Sequence, residues 1–320
     1  MKILSALKEF GRSMGPTIKE LRFMISRIKK SPLSIMGLAI LAFYIILALL
    51  APVLAPPVPP PMGKDDPFMI WRDTNIPAIE RMKPHPPSST HPFGTTERSY
   101  DIYYGCVWGT ITAFRIGFLV VVGSLAIGLL VGSVAGYYGG IVDELIMRFT
   151  DIIFAFPTLI LAMALIVALG RSIDNVMLAL VLVGWPGYTR VIRGEIIRVR
   201  QEDYVEAAKA VGCSDLRVIT RHVIPNSVYA VLIMASLDIG AIVLYAAALS
   251  FLGLGAPSGY ADWGQLIAMS RNYIYSNISA PMRYWYVFTI PGVFIFTFVL
   301  GWNLLGDAFR DILDPTLRRR

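Results

Sequence analysis

The chain has 320 residues, 55% hydrophobic and only 16% charged, against about 25% charge in ordinary soluble domains. So few charges cannot clothe a water-facing surface, which excludes a soluble enzyme and makes the bilayer the solvent to reason with. The net charge of +7 would suit nucleic acid, but a bias of Lys and Arg toward cytoplasmic loops produces the same excess in a membrane protein.

Residues 1–31 are basic. Ile18, Leu21, Ile25 and Ile28 recur at helical spacing with Lys19, Arg22 and Lys29 on other faces, which fits an amphipathic helix in the cytoplasmic interface or a solvated basic tail. The apolar run at 32–55 exceeds the usual core of a signal peptide and reads as an anchored first helix. Residues 56–109 follow as an extracytoplasmic loop. Six prolines between 52 and 61, then Pro84, Pro86 and Pro87, predict an extended segment without a core of its own.

Uncharged runs then lie between Arg115 and Asp143, Asp151 and Arg171, and Asp174 and Arg190. Two more cover Ser227–Leu254, broken by Asp238, and the stretch between Arg283 and Asp307. About 20 apolar residues cross a bilayer as helix, so the fold class is all-α and polytopic, with six transmembrane helices. The fourth run is short and must borrow flanking positions, and Trp185-Pro186-Gly187 is expected to interrupt it. With the N-terminus cytoplasmic, 20 of the 29 Lys and Arg fall inside. Most of the rest sit in the long first outer loop, which translocates regardless of charge. Both termini are then cytoplasmic, residues 312–320 form an inner tail, and no nucleic acid is needed to explain the charge.

Cys106 and Cys213 fall on opposite sides of the membrane and cannot pair. Asn277-Ile278-Ser279 is a glycosylation sequon on the outer face. There is no G-x-x-x-x-G-K-[ST] loop for ATP and no metal-ligand spacing, and His85, His91 and His222 are scattered. No catalytic constellation exists, so the chain is read as no enzyme and as holding no cofactor. Asp238 is the lone ionisable residue in mid-span. At a cost of about 2.5–3.5 kcal/mol on insertion scales, it must either line a translocation path or hydrogen-bond a neighbouring helix.

The loop between the fourth and fifth spans is the most informative stretch. Asp203–Val211 favours helix, with Ala207, Ala208 and Ala210 leaving a slim surface and Glu206 a charged contact. Gly212 can turn the chain with positive φ, Ser214 or Asp215 can cap a second short helix, and Pro225 should end or kink it. Such a pair would form a rigid cytoplasmic projection; a solvated inter-helix loop is the plainer alternative.

Glu206-Ala207-Ala208, Gly212 and Ile224-Pro225 resemble the E-A-A…G…L-P loop of permease subunits of binding-protein-dependent ABC importers. His91-Pro92-Phe93-Gly94-Thr95, Leu249-Ser250-Phe251-Leu252-Gly253-Leu254-Gly255 and Gly306-Asp307-Ala308-Phe309 resemble the C-type permease of the dipeptide/oligopeptide branch. The resemblance implies a type I importer fold whose core occupies residues 110–311, with a coupling loop at 200–226. It implies as partners a paralogous permease, two ATPases that bind ATP and magnesium, and an extracytoplasmic solute-binding protein. Glu206, Ala207, Ala208, Gly212 and Pro225 would couple to an ATPase. Ser99-Tyr100 departs from the branch, which usually has Gly-Arg there, and Tyr245 and Ala246 stand where relatives often carry an acid. These departures lie toward the substrate path and weaken the step from branch to cargo; the branch makes peptide the favoured cargo, with oligosaccharides or nickel as alternatives in the same architecture. An ATP-independent secondary transporter or channel is the rival class, but the first half holds no counterpart to Trp185-Pro186-Gly187 as inverted repeats would require.

Overall fold

The computed structural model describes residues 31–58, 66–77, 80–275 and 282–313. The stretch 18–28, the sequon at Asn277 and the tail from Asp314 lie outside the described residues. Among those described, the chain is helical, with only isolated β-bridges. Among the described residues five helices are long and apolar enough to cross a membrane, and a pair of shorter ones bent by 86° counts as a sixth, broken crossing only when the two are taken together.

Helix α1 (Pro32–Leu54) starts on Ser31, whose hydroxyl accepts from the Ser34 amide, with Pro32 in the first turn. Such a start uses residues that satisfy or dispense with free N–H groups. Helix α2 (Ile102–Tyr138) is capped by Asp101, which accepts from the Tyr104 amide at 2.7 Å. It begins well before Arg115, which lies inside it and pairs with Asp174 at 2.6 Å. The run of uncharged residues marks the apolar part of this helix and misses its outer turns.

The third crossing is where expectation and structure differ most. Helix α3 (Gly140–Phe154) and helix α4 (Thr158–Leu169) replace one straight span. Pro157 lacks an N–H and disfavours helical geometry at Phe156, so the helix breaks there. The expected interruption at Trp185-Pro186-Gly187 does not occur: helix α5 runs unbroken from Ile173 to Arg200. One absent backbone hydrogen bond is tolerated in a transmembrane helix that neighbours hold straight.

Those neighbours can be named. Gly128, Gly132 and Gly136 place a small-residue stripe on α2, and a Cβ at Gly136 would come within 2.9 Å of the Arg193 carbonyl oxygen. At Gly132 it would overlap Ile192 and the Thr189 backbone. Lipid provides no hydrophobic drive between helices, so this close packing supplies the association. Tyr188, Ile192 and Ile196 are buried along that seam.

Helix α6 (Asp203–Ala210) and helix α7 (Asp215–Val218) form the projection. A π-turn, Ile219–Val223, leads into helix α8 (Ile224–Phe251). Pro225 therefore neither ends nor breaks this helix. The Ile224 amide reaches back five residues to Ile219, and this wider turn relieves the clash a proline ring makes with the carbonyl four residues earlier. Helix α9 (Trp263–Met269), helix α10 (Arg271–Tyr275) and the last crossing, helix α11 (Tyr286–Leu313), complete the chain. Helix α9 dips into the bundle: Trp263 is buried, donates to the Cys106 carbonyl at 3.0 Å, and meets the rings of Phe294 and Phe298 at a steep angle.

Candidate functional site

The projection is built on a firm base. Val205 and Ala208 are buried and face the bundle, while Glu206, Ala207 and Ala210 point outward. Of the residues read together as a slim face, Ala208 thus belongs to the interior. Gly212 has φ +83 and open space around its Cα, so the backbone conformation alone requires glycine there. Its amide bonds to the Lys209 carbonyl at 2.9 Å and the Cys213 amide to the Ala208 carbonyl at 3.1 Å. This pair of bonds is the glycine turn that closes helices by satisfying their last carbonyls. Ser214 precedes α7 in extended conformation, but its side chain makes no capping bond.

A residue that sequence reasoning misses holds the projection in place. Tyr137, at the end of α2, donates to Asp215 at 2.6 Å; its carbonyl accepts from Arg200 at 2.5 Å, and Lys209 lies over its ring at 4.9 Å. Three separate segments meet at this one residue, two at its side chain and one at its backbone carbonyl. No local pattern announces it, because the partners lie 63 to 78 residues away. Beyond this base the outward surface is apolar as well as acidic. Val211 is 80% and Leu216 72% exposed, beside Glu206, whose side chain has no hydrogen bond or ion pair among the described residues. Pro225 is exposed at the start of α8.

Asp238 lies half-buried on α8 and accepts from the Tyr188 hydroxyl at 2.7 Å. The interhelical hydrogen bond that the sequence allows is therefore present, and its donor sits two residues beyond Pro186 on the glycine-packed helix α5. Further charges that bounded the spans are paired across the bent crossing: Asp143 holds Arg193 at 2.5 Å, and Asp151 pairs with Arg190. Four charges near α3 are thus neutralised in two contacts.

At the opposite end, residues 66–77 and 80–101 strap across the helix ends. Bridges Met69↔Tyr260, Arg72↔Tyr100 and Thr95↔Asp101 and a Phe68–Tyr260 stack at 5.8 Å tie the strap down. His91, buried and stacked on Trp71, lies 2.5 Å from Asp101 and 3.1 Å from Asp73. Its bond to Asp101 raises the imidazole pKa against the burial that would lower it, with Asp73 adding to the rise. Burial opposes ionisation of Asp73, but the Asn75 amide and His91 outweigh it and hold that carboxyl below its ordinary value. In the sequence alone His91 is one of three scattered histidines; in the fold it joins two carboxylates. Cys106 and Cys213 lie at opposite ends, both free. Among the described residues, no group of three or more His, Cys, Asp or Glu is arranged to hold a metal ion.

Comparison with known proteins points the same way. Residues 128–319 match the family described as binding-protein-dependent transport system inner membrane component, and residues 21–77 match the N-terminal transmembrane domain of oligopeptide transport permease C. The chain is 37% identical to a dipeptide transport system permease protein, DppC, of Alkalihalophilus pseudofirmus, over 93% of this chain and 90% of that protein. It is 36% identical to a probable D,D-dipeptide transport system permease protein, DdpC, of Escherichia coli, over 93% of each. Against a solved structure of the MetNI methionine ABC transporter in an inward-facing conformation, the TM-score is 0.51 at 18% identity, over 65% of this chain and 96% of that one. That likeness places the fold among type I importer permeases.

Proposed function

This chain belongs to the binding-protein-dependent transport system inner membrane components, and on that premise we propose that it is a C-type permease subunit importing dipeptides or oligopeptides. Relatives named for dipeptide, oligopeptide and glutathione transport support that cargo class. A paralogous permease completes the path, a solute-binding protein delivers the cargo from outside, and two ATPases bind ATP and magnesium. The projection end and both termini face the cytoplasm, in keeping with the Lys and Arg distribution. Asp238, held by Tyr188, lines the translocation path from the middle of α8.

The observation that carries the reading is the outward surface of the projection. A water-facing loop has no physical reason to expose Val211 and Leu216 on a base this firmly tied. Burying each against a partner is worth about 1.5–3 kcal/mol. Glu206 and Ala207 stand beside them on a helix slim enough to enter a groove. They couple to the ATPase together with Ala208, which seats that helix, and with Gly212 and Pro225, which set its exit and the entry into α8. Glu206→Ala keeps helix propensity high, so insertion is expected to be unchanged. In reconstituted vesicles, ATP hydrolysis should lose its stimulation by loaded binding protein, and peptide uptake should fall in step. Wild-type values of both would remove Glu206 from the coupling surface.

A further inference from the structure

One cavity remains outside everything assigned so far. At the end of the molecule opposite the projection, a space of about 330 Å³ opens between the last turn of α8 and the re-entrant helices α9 and α10. Phe251 and Gln265 lie at its floor, the exposed Leu252 at its edge, and Arg98, Arg171 and Arg271 stand around it with Glu97. Three guanidiniums against one carboxylate leave an excess of two positive charges. Arg171 and Arg271 are exposed and make no hydrogen bond or ion pair among the described residues, while Arg98 lies 4.0 Å from Glu97. Burial raises the Glu97 pKa, against the pull of Arg98 and Arg271.

A second observation is independent of charge. Gln265 is only 7% exposed, and its backbone is fixed by the Asp262 cap at 2.9 Å. Its side-chain amide lines the cavity and has no hydrogen-bond partner among the described residues. The amide is not among the fully buried polar atoms that lack a partner, so it stays open to the cavity. An amide donor on the floor and planar guanidiniums at the rim match one kind of ligand, a planar oxyanion that takes two parallel N–H bonds from an arginine.

The helix whose end forms the floor is also the one that carries Asp238. From Asp238 to Phe251 is thirteen residues, about 20 Å along a helix axis. We propose that this cavity receives the C-terminal carboxylate of the cargo peptide as it leaves the binding protein. The inference rests on the peptide-import reading above and assigns the entry step within it. A recessed cavity of this volume takes a small charged group with its adjoining residue and not the broad surface of a protein.

The test uses the complete reconstituted transporter with its binding protein. The cargo is a matched pair of peptides, one with a free C-terminus and one C-terminally amidated, both first shown to load the binding protein. Arg171→Gln with Arg271→Gln alters two exposed side chains, so the fold is expected to survive. The double variant should lower uptake of the free-acid peptide about tenfold, as loss of charge-assisted hydrogen bonds implies. Uptake of the amide should stay unchanged. Arg171→Lys with Arg271→Lys should restore part of the preference.

An equal loss for both peptides, with a higher concentration of binding protein needed for half-maximal ATPase stimulation, would make the arginines a docking site for that protein and overturn the proposal. Unchanged uptake of both peptides would overturn it as well, and the peptide reading would stand. A wild-type transporter that moves neither peptide would instead defeat the peptide reading, and this assignment with it.

Discussion

The same backbone device closes helix α6 on one side of the molecule and helix α8 on the other. Gly253 has φ +81, bonds to the Ser250 carbonyl at 2.9 Å, and lets Leu254 reach the Leu249 carbonyl at 3.0 Å. Gly212 makes the corresponding pair of bonds with the same hand. Beyond the two turns the chain behaves in opposite ways. After Gly253 it folds inward to Ala256, Tyr260 and Trp263, all buried; after Gly212 it leads to Leu216, which is left in the open. Local chemistry sets the turn, and tertiary contact decides whether the next residues are used up inside the subunit or kept for a partner. After Gly253 the apolar side chains are buried within the subunit, and after Gly212 Leu216 is not.

The largest effect that would sharpen this contrast is expected at His91. A doubly protonated imidazole donates to both Asp73 and Asp101, whereas a neutral ring has one N–H and can serve only one of them. His91→Ala leaves two carboxylates facing each other at a nearly dry site and should destabilise the strap by about 3 kcal/mol. Thermal unfolding of the purified subunit should shift downward while ATPases still co-purify with it. Loss of ATPase binding would show that the two ends are not independent.

The pH dependence has a definite sign. His91 is raised when folded, so its contribution is complete below its ordinary value of 6.5 and fades as pH climbs through the raised one. Asp73 is lowered, so its share is present above its ordinary value of 3.8 and is lost as pH falls through the lowered one. Limited proteolysis of residues 66–101 should be slowest between these limits.

Next in size is Gly212. A β-branched residue at φ +83 strains the turn by about 1–3 kcal/mol, and nothing else crowds the site. Gly212→Val should therefore leave insertion intact, misplace Leu216 and Glu206, and weaken co-purification of the ATPases. Tyr137→Phe comes after it. The substitution keeps the ring under Lys209 and removes only the bond to Asp215, worth about 1.5–3 kcal/mol to a charged acceptor in protected surroundings and toward 1 kcal/mol here, where Asp215 is exposed. Stimulated ATPase activity should fall in part. A value equal to wild type would mean that Arg200 and Lys209 hold the projection without the phenol.

Much of this architecture is legible in the residues themselves. Charge-free runs locate every crossing but the third, the spacing of Asp203–Val211 locates α6 to within one residue, and Gly212 announces its own turn. The prolines show where reading stops. Pro157 splits a crossing, Pro186 is absorbed by a helix locked against the Gly128–Gly132–Gly136 stripe, and Pro225 is absorbed by a π-turn. Intrinsic chemistry is the same in all three; the packing around each is not. The same limit hides Tyr137, whose partners lie 63 to 78 residues away, and the Asp73–His91–Asp101 contact, which forms only when the strap folds back on itself ahead of α2.

The smallest expected effect concerns a residue that departs from the pattern of its branch. Ser99 has φ +59, the only positive φ at a non-glycine position among the described residues. It closes a turn in which its amide bonds to the Thr96 carbonyl at 3.0 Å, and its carbonyl accepts from Asp73 at 3.1 Å. Glycine is common at this place in the branch, and the backbone explains why: a Cβ in that region costs about 1–2 kcal/mol. The hydroxyl does not compensate, since Ser99 is fully buried and its Oγ has no hydrogen-bond partner among the described residues. Ser99→Gly removes both the strain and an unmet polar group, against an added entropy cost of about 0.4–1 kcal/mol in the unfolded chain. The expected net gain is about 1 kcal/mol, read as a modest rise in the thermal midpoint of the detergent-solubilised subunit with the His91 contact intact. A fall in the midpoint would mean that the Ser99 hydroxyl does bond within the turn, through an ordered water. The loop end would then be more fully satisfied than its side chains alone make it.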